Sequence, residues 1–324
     1  MWFKNRNKLP LALEIASFLA MTVGFFSMTF KTLIRHCEER SNLFKYLRSN
    51  VSALYFLILF FSFSLLFFSF KSNPGTSYKL LCKIPYEGGV FTTDNLQNIY
   101  VYRGNSIKKY SSQGKLLFSY SDKSYGRITS IDANDPLKML VFYRDFPEVV
   151  LLDNTLSQNG NPFSPADVGF PLATLACTSH DNGVWLYDAQ NFQLIRLDVN
   201  LSVVQKTGNL AQSIGTPLNP DYLMEYNNFV YLNDSAQGIF VFDSFGSYYK
   251  TIPITGLTSF EVRGDDLFYV SKNRIRTFHL KTIMEDASMA PDTLSSEVRI
   301  EKNILCEKYN DTVRVFEVGS PAGK

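Results

Sequence analysis

The sequence predicts an all-β fold: a six-bladed β-propeller whose last blade is closed by the domain's first strand, preceded by an N-terminal apolar helix. Three observations predict it. A polar turn, four or five apolar or aromatic residues, a few polar residues and a second such run recur six times, starting at Asn98, Lys138, Gly183, Asn228, Asp266 and Asn303. Successive copies lie 40, 45, 45, 38 and 37 residues apart, close to the roughly 40–50 residues of a four-stranded blade. The runs alternate and are rich in aromatic and β-branched residues, the mark of half-buried strands rather than helices.

Residues 51–70, VSALYFLILFFSFSLLFFSF, carry no charge, Pro or Gly, and about 20 such residues span a bilayer. Lys45 and Arg48 precede the run and only Lys71 closely follows it, a bias that leaves the N-terminus in the cytoplasm and the repeats outside. A secretory signal peptide is the rival reading. Against it, the run exceeds the about 7–15 apolar residues of such signals, and no Ala-x-Ala site follows. Either reading makes the membrane a partner of this segment and puts the domain in the cell envelope, anchored, periplasmic or secreted.

Residues 1–50 stand apart. The peptides IASFLAMT (15–22) and RHCEERSN (35–42) can be encoded by opposite arms of one inverted DNA repeat. They resemble translated fragments of dispersed palindromic elements of bacterial intergenic DNA. The expectation is a translation start placed too early; a disordered stretch or an extra membrane segment over 9–30 is the alternative.

Residues 77–85, SYKLLCKIP, read as a strand outside every repeat. Blade one takes 89–93, 99–102, 106–110 and 116–120, with Gly104-Asn105 and Gln113-Gly114 as turn residues tolerant of positive φ. Blade two takes 128–132, 139–143 and 149–153, with a weak last strand within 155–163. Blade three takes 172–177, 184–187, 193–198 and 203–207. Blade four takes 223–226, 229–233, 239–243 and 248–252. Blade five takes 259–262, 267–271, 275–280 and a poor strand within 282–286. Blade six has 298–301, 304–308 and 313–318 and lacks a fourth strand. The segment 77–85 has the length to supply it and to protect an open sheet edge, so the propeller is expected to occupy 77–318, with 319–324 as a tail.

Charge separates the two parts of the chain. Residues 1–73 hold nine Lys or Arg and three Glu, whereas 74–324 hold 23 basic and 27 acidic residues. A mildly acidic domain without a basic stripe excludes a nucleic-acid partner. The four cysteines, Cys37, Cys82, Cys177 and Cys306, show no C-x-x-C spacing, so no zinc knuckle or redox pair is encoded. Cys82 with Cys306 is the one pair worth testing as a disulfide.

The blade-one series Asp94, Asn98-Ile99-Tyr100-Val101, Ile107-Lys108-Lys109-Tyr110 and Gly114-Lys115-Leu116 resembles the NHL type of six-bladed repeat. Blade three repeats it as Asp181-Asn182-Gly183-Val184-Trp185-Leu186 and Leu194-Ile195-Arg196-Leu197-Asp198, and blade four keeps 239–243 and Gly246. The resemblance covers about residues 77–318 and departs in blades two, five and six, where the glycines and the Asp after the third strand are patchy. The whole also resembles exported bacterial six-bladed propellers without assigned activity. The likeness therefore implies fold and compartment, not function.

No His-Glu-x-x-His, Gly-x-Ser-x-Gly or phosphate-cradling loop occurs. His180 falls in a polar turn of blade three and His279 in a strand; neither has a partner at a fixed offset. Propellers of the lactonase type hold a hard cation in the central channel on carboxylates and Asn side chains, and oxygen ligands are what calcium prefers. Asp132, Glu225, Glu261 and Glu301 lie on or beside the innermost strands. A metal-dependent hydrolase using calcium there is accordingly the alternative function.

The favoured surface is the face formed by the turns between second and third strands, since binding sites concentrate on loops held by a rigid scaffold. Its candidates are Arg103, Asn105, Tyr143, Arg144, Phe146, Asp188, Gln190, Asn233, Asp234 and Lys272. The sequence thus predicts a non-catalytic, exported binding module without a cofactor, taking an envelope protein, peptide or glycan.

Overall fold

A computed structural model describes residues 77–86, 88–272, 274–289 and 297–319. The expectations for residues 1–70 lie outside the described residues. The first strand, β1 (Ser77–Pro85), precedes six sheets. Blade one is β2 (Val90–Thr93), β3 (Ile99–Arg103), β4 (Ser106–Tyr110) and β5 (Leu116–Ser121). Blade two is β6 (Ile128–Asp132), β7 (Met139–Tyr143) and β8 (Glu148–Leu152). Blade three is β9 (Ala173–Thr178), β10 (Val184–Asp188), β11 (Gln193–Leu197) and β12 (Val203–Lys206). Blade four is β13 (Tyr222–Tyr226), β14 (Phe229–Asp234), β15 (Gly238–Asp243) and β16 (Tyr248–Ile252). Blade five is β17 (Glu261–Arg263), β18 (Asp266–Ser271), β19 (Arg274–His279) and β20 (Glu285–Met289). Blade six is β21 (Val298–Glu301), β22 (Ile304–Tyr309) and β23 (Thr312–Gly319). Every pairing is antiparallel, and β1 lies outside β23, with Ser77 opposite Gly319 and Pro85 opposite Thr312.

The hydrophobic core makes the sheets a ring. Each of six apolar clusters joins one blade to the next. Tyr102 and Met139 share the cluster between blades one and two, Phe142 and Leu186 that between two and three, and Trp185 and Phe240 that between three and four. Tyr231 meets Phe260 between four and five, Ile275 meets Phe316 between five and six, and Val313 meets Phe91 between six and one. Because both faces of the second strands are covered, β7 and β10 are buried at every position. Their alternation is therefore weaker than that of strands with one wet face.

Two outer strands depart from expectation. No ladder forms over 155–163; that stretch makes only the isolated bridges Val149–Phe163 and Leu152–Gln158. Pro162 and Pro165 lack the N–H a ladder needs. Ser164 then caps a short 3-10 turn, Pro165–Val168. In blade five the outer strand starts at Glu285, because Ile283 takes a left-handed conformation (φ 59°) and its N–H donates to the His279 carbonyl.

The Asp after the third strand has a physical role. The Oδ1 atoms of Asp153, Asp198 and Asp243 each accept two backbone N–H groups, two and four residues on, at 2.8–2.9 Å. This Asx turn fixes the hairpin, and blade two shares it. Cys82 and Cys306 are free thiols. Both lie opposite Val315, on the strands flanking it. Two strand spacings of about 4.8 Å exceed the ~6.8 Å Cα separation a disulfide spans.

Candidate functional site

The turns from first to second strand of all six blades surround a cavity of about 410 Å³ at one mouth of the channel. Its floor is Arg263, at the end of β17. The Nη2 atom lies 2.8 Å from Glu261 Oε1 and Nε 2.7 Å from Glu301 Oε2. Nη1 reaches Asn134 Oδ1 at 3.3 Å. Asn134 belongs to blade two, diametrically across a six-membered ring from blade five, so one side chain bars the channel. Burial opposes the guanidinium charge, yet Glu261 and Glu301 outweigh it and hold Arg263 above its ordinary pKa. Burial pushes the Glu261 carboxyl up, against the pull of Arg263 and Arg299. Below this plug the channel narrows to a void of about 30 Å³, too small for a ligand.

His180 forms the wall. The tight β9–β10 turn that carries it depends on Gly183, where a Cβ would run into the Leu197 carbonyl oxygen. The Nδ1 atom of His180 lies 2.6 Å from Glu225 Oε1, and its backbone N–H donates to the same oxygen at 3.1 Å. Trp185 Nε1 donates to Glu225 Oε2 at 2.5 Å. Glu225 is buried while the imidazole is 40% exposed. In the neutral ring this geometry places the proton on Nδ1 and leaves Nε2 an acceptor.

The remaining wall groups are similarly engaged. Lys138 Nζ donates to the Asn182 carbonyl, and burial lowers its pKa. Asp132 accepts from Thr178 N at 2.8 Å and Thr178 Oγ1 at 2.6 Å. All four acids considered as calcium ligands are therefore spent on internal donors, and Arg263 stands between two of them. The set does not fit a resident cation. Among the described residues no group of three or more His, Cys, Asp or Glu is placed to hold a metal.

None of the ten loop residues named from the sequence lines this cavity; their turns close the opposite ends of the strands. Tyr143, Asp188, Asn233 and Asp234 are buried and serve the fold. The Tyr143 ring packs 5.3 Å from Tyr125. Asp188 accepts from Gln190 N and Asn191 Nδ2. Asn233 donates to Asp221 and the Leu257 carbonyl, and Asp234 accepts from Asn219 N and Ala236 N. Asn105 donates to Ser121 Oγ at 3.2 Å. Arg103, Arg144, Phe146, Gln190 and Lys272 remain exposed. Sequence reasoning missed Arg263, Lys138 and the Asn side chains of the first turns. A charge alternating with apolar residues in Phe260-Glu261-Val262-Arg263 was the available signal for the plug.

Neither a family model nor a curated protein sequence matches the chain. Solved structures do. The WD40 domain of Neurospora crassa Pan2 aligns with a TM-score of 0.53 and 8% identity over 75% of this chain and 96% of that domain. A catalytically inactive virginiamycin B lyase from Staphylococcus aureus, solved with quinupristin, gives 0.48 and 11% over 70% and 79%. BamB from Moraxella catarrhalis gives 0.43 and 11% over 71% and 82%. At these identities the likeness establishes the propeller fold alone.

Proposed function

We propose that the chain is an exported, NHL-like propeller acting as a non-catalytic binding module of the cell envelope. Residues 51–70 serve as its anchor or export signal, and the bowl above Arg263 is its ligand site. The observation that carries the binding reading is convergence: all six blades contribute residues from the ends of their first strands or the turns that follow to a single cavity. The Asx turns of Asp153, Asp198 and Asp243 support the NHL likeness. The pairing of β1 with β23 supports β1 as the strand that holds the ring shut. The His180–Glu225 pair has the orientation of a general base. Yet Ser179 Oγ, at 3.5 Å, faces Nδ1 rather than Nε2, so we read the pair as an acceptor. Hydrolysis of the lactonase type would require a cation to displace Arg263.

The test is binding of fractionated envelope polysaccharide, peptide and protein to the immobilised chain. Asn95→Trp, which fills the bowl from an exposed rim position, should abolish it, while Arg144→Ala on the opposite face should not. The reverse result would move the site to the opposite face.

A further inference from the structure

We propose that the bowl recognises a neutral saccharide, an inference that rests on the bowl being the ligand site. Most charged groups there are already committed: Arg263 to Glu261 and Glu301, Glu225 to His180 and Trp185, Lys138 to the Asn182 carbonyl, and Asp135 Oδ1 to the Leu137 N–H. Apart from the second carboxylate oxygen of Asp135, the hydrogen-bonding capacity left over is neutral. It comprises the side-chain amides of Asn95, Asn134, Asn182 and Asn227, one from each of blades one to four, and His180 Nε2. An amide offers a donor and an acceptor side by side, as does a sugar hydroxyl.

Turn chemistry does not account for all four. Asn182 and Asn227 sit at φ 65° and 49°, which favours Asn there. Asn95 and Asn134 are absent from that region, so a left-handed backbone does not select them. Asn134 lends its oxygen to Arg263 and keeps two N–H donors.

Saccharide is favoured over peptide because no aliphatic side chain lines the cavity, whereas pockets that seat apolar groups are lined mainly by them. The single aromatic on the wall, Tyr226, has its hydroxyl held by the Gly264 N–H at 2.9 Å. The Arg263 guanidinium lies over the same ring, 5.7 Å from its centroid, so Tyr226 is a fixed part of the wall. The 410 Å³ volume falls within the ~300–1,000 Å³ of small-molecule sites.

The experiment is calorimetric titration of the full chain in detergent. The probes are maltotriose, cellotriose, mannotriose and triacetylchitotriose, together with a sialylated trisaccharide, deacetylated chitotriose and a neutral pentapeptide. At least one neutral saccharide should bind. Asn95→Ala should weaken it about tenfold, the loss of one hydrogen bond, and so should Asn182→Gly, which keeps the backbone conformation. Arg144→Ala should leave affinity unchanged. Binding of only charged sugars or the peptide, weakened by Asn95→Ala, overturns the saccharide and retains the bowl. Neutral binding indifferent to both bowl variants also overturns the inference, since the sugar then lies elsewhere. Silence toward every probe overturns this inference alone; the binding module is overturned only if the envelope fractions also fail to bind.

Discussion

Arg263→Met should be among the most destabilising single changes in the chain. The substitution keeps much of the stem and deletes the guanidinium. It leaves Glu261 and Glu301, 3% and 7% exposed, without the cation that lies 2.7–2.8 Å from each. Breaking a buried pair by removing one partner costs about 3–5 kcal/mol. At roughly 2–4 °C per kcal/mol for a domain of this size, the melting temperature should fall by about 6–20 °C. The pH dependence gives a second reading. Burial already raises the Glu261 carboxyl, and loss of Arg263 raises it further above its unfolded value. A raised carboxyl binds its proton more tightly in the folded state, so its protonation stabilises the fold at acidic pH and that contribution is lost as pH rises. The deficit should therefore be smaller at pH 5 than at pH 8. Adding Glu261→Gln and Glu301→Gln should recover most of it. Thermal and urea unfolding at both pH values measure this. A loss below about 1 kcal/mol, or an equal deficit at both pH values, would refute a dry plug.

Two further outcomes follow from the same structure. Deleting 77–85 strips the outer strand from blade six and should sharply lower the melting temperature, and Ile84→Ala, at a fully buried position, should alone cost about 2–5 kcal/mol; unchanged unfolding curves would reject β1 as the closing strand. In blade five, the hydrogen bonds that the His279 ring donates to Asp286 and Asp266 raise its pKa, so its stabilising effect is complete below the ordinary histidine value and fades as pH climbs through the raised one. Hydrogen exchange at β20, corrected for intrinsic rates, should accelerate above that value in the native chain and lose this pH dependence in His279→Phe.

The blade count was legible because turn chemistry is local. An Asp that accepts two N–H groups, or a Gly that no side chain can replace, recurs wherever a hairpin must close. The outer strand of blade two was less legible: residues 155–163 read as a weak strand, and Pro162 within the stretch and Pro165 just after it argue against a ladder. The site was half legible. Acids within innermost strands pointed to the channel, and His180 was assigned to the correct turn. The face was not legible, because Asn, Asp and Gly serve the backbone equally at both ends of a blade. What decides it is a contact between Arg263 and Asn134, 129 residues apart in the chain, which no local pattern encodes.

That contact also explains why the plug lies where it does. Among the described residues the apolar cluster between blades five and six is built on Ile275, Val298, Leu305 and Phe316, and the neighbouring interface of blades four and five buries Met224, Tyr231, Phe260, Leu267 and others. Polar bonds also cross the joint of blades five and six. Glu261 accepts the Ile300 N–H, Arg263 pairs with Glu301, and Ser259 Oγ donates to Glu297. Buried pairs of this kind contribute little net stability against an apolar substitute but are costly to break. They also fix one geometry, because the planar guanidinium of Arg263 is held by Glu261, Glu301 and Asn134 at once. The floor of the bowl therefore fastens the joint that has the smallest apolar cluster among the described residues. The rigidity that lets six turns hold one cavity is drawn from the same ion pairs that keep the channel from being a pore.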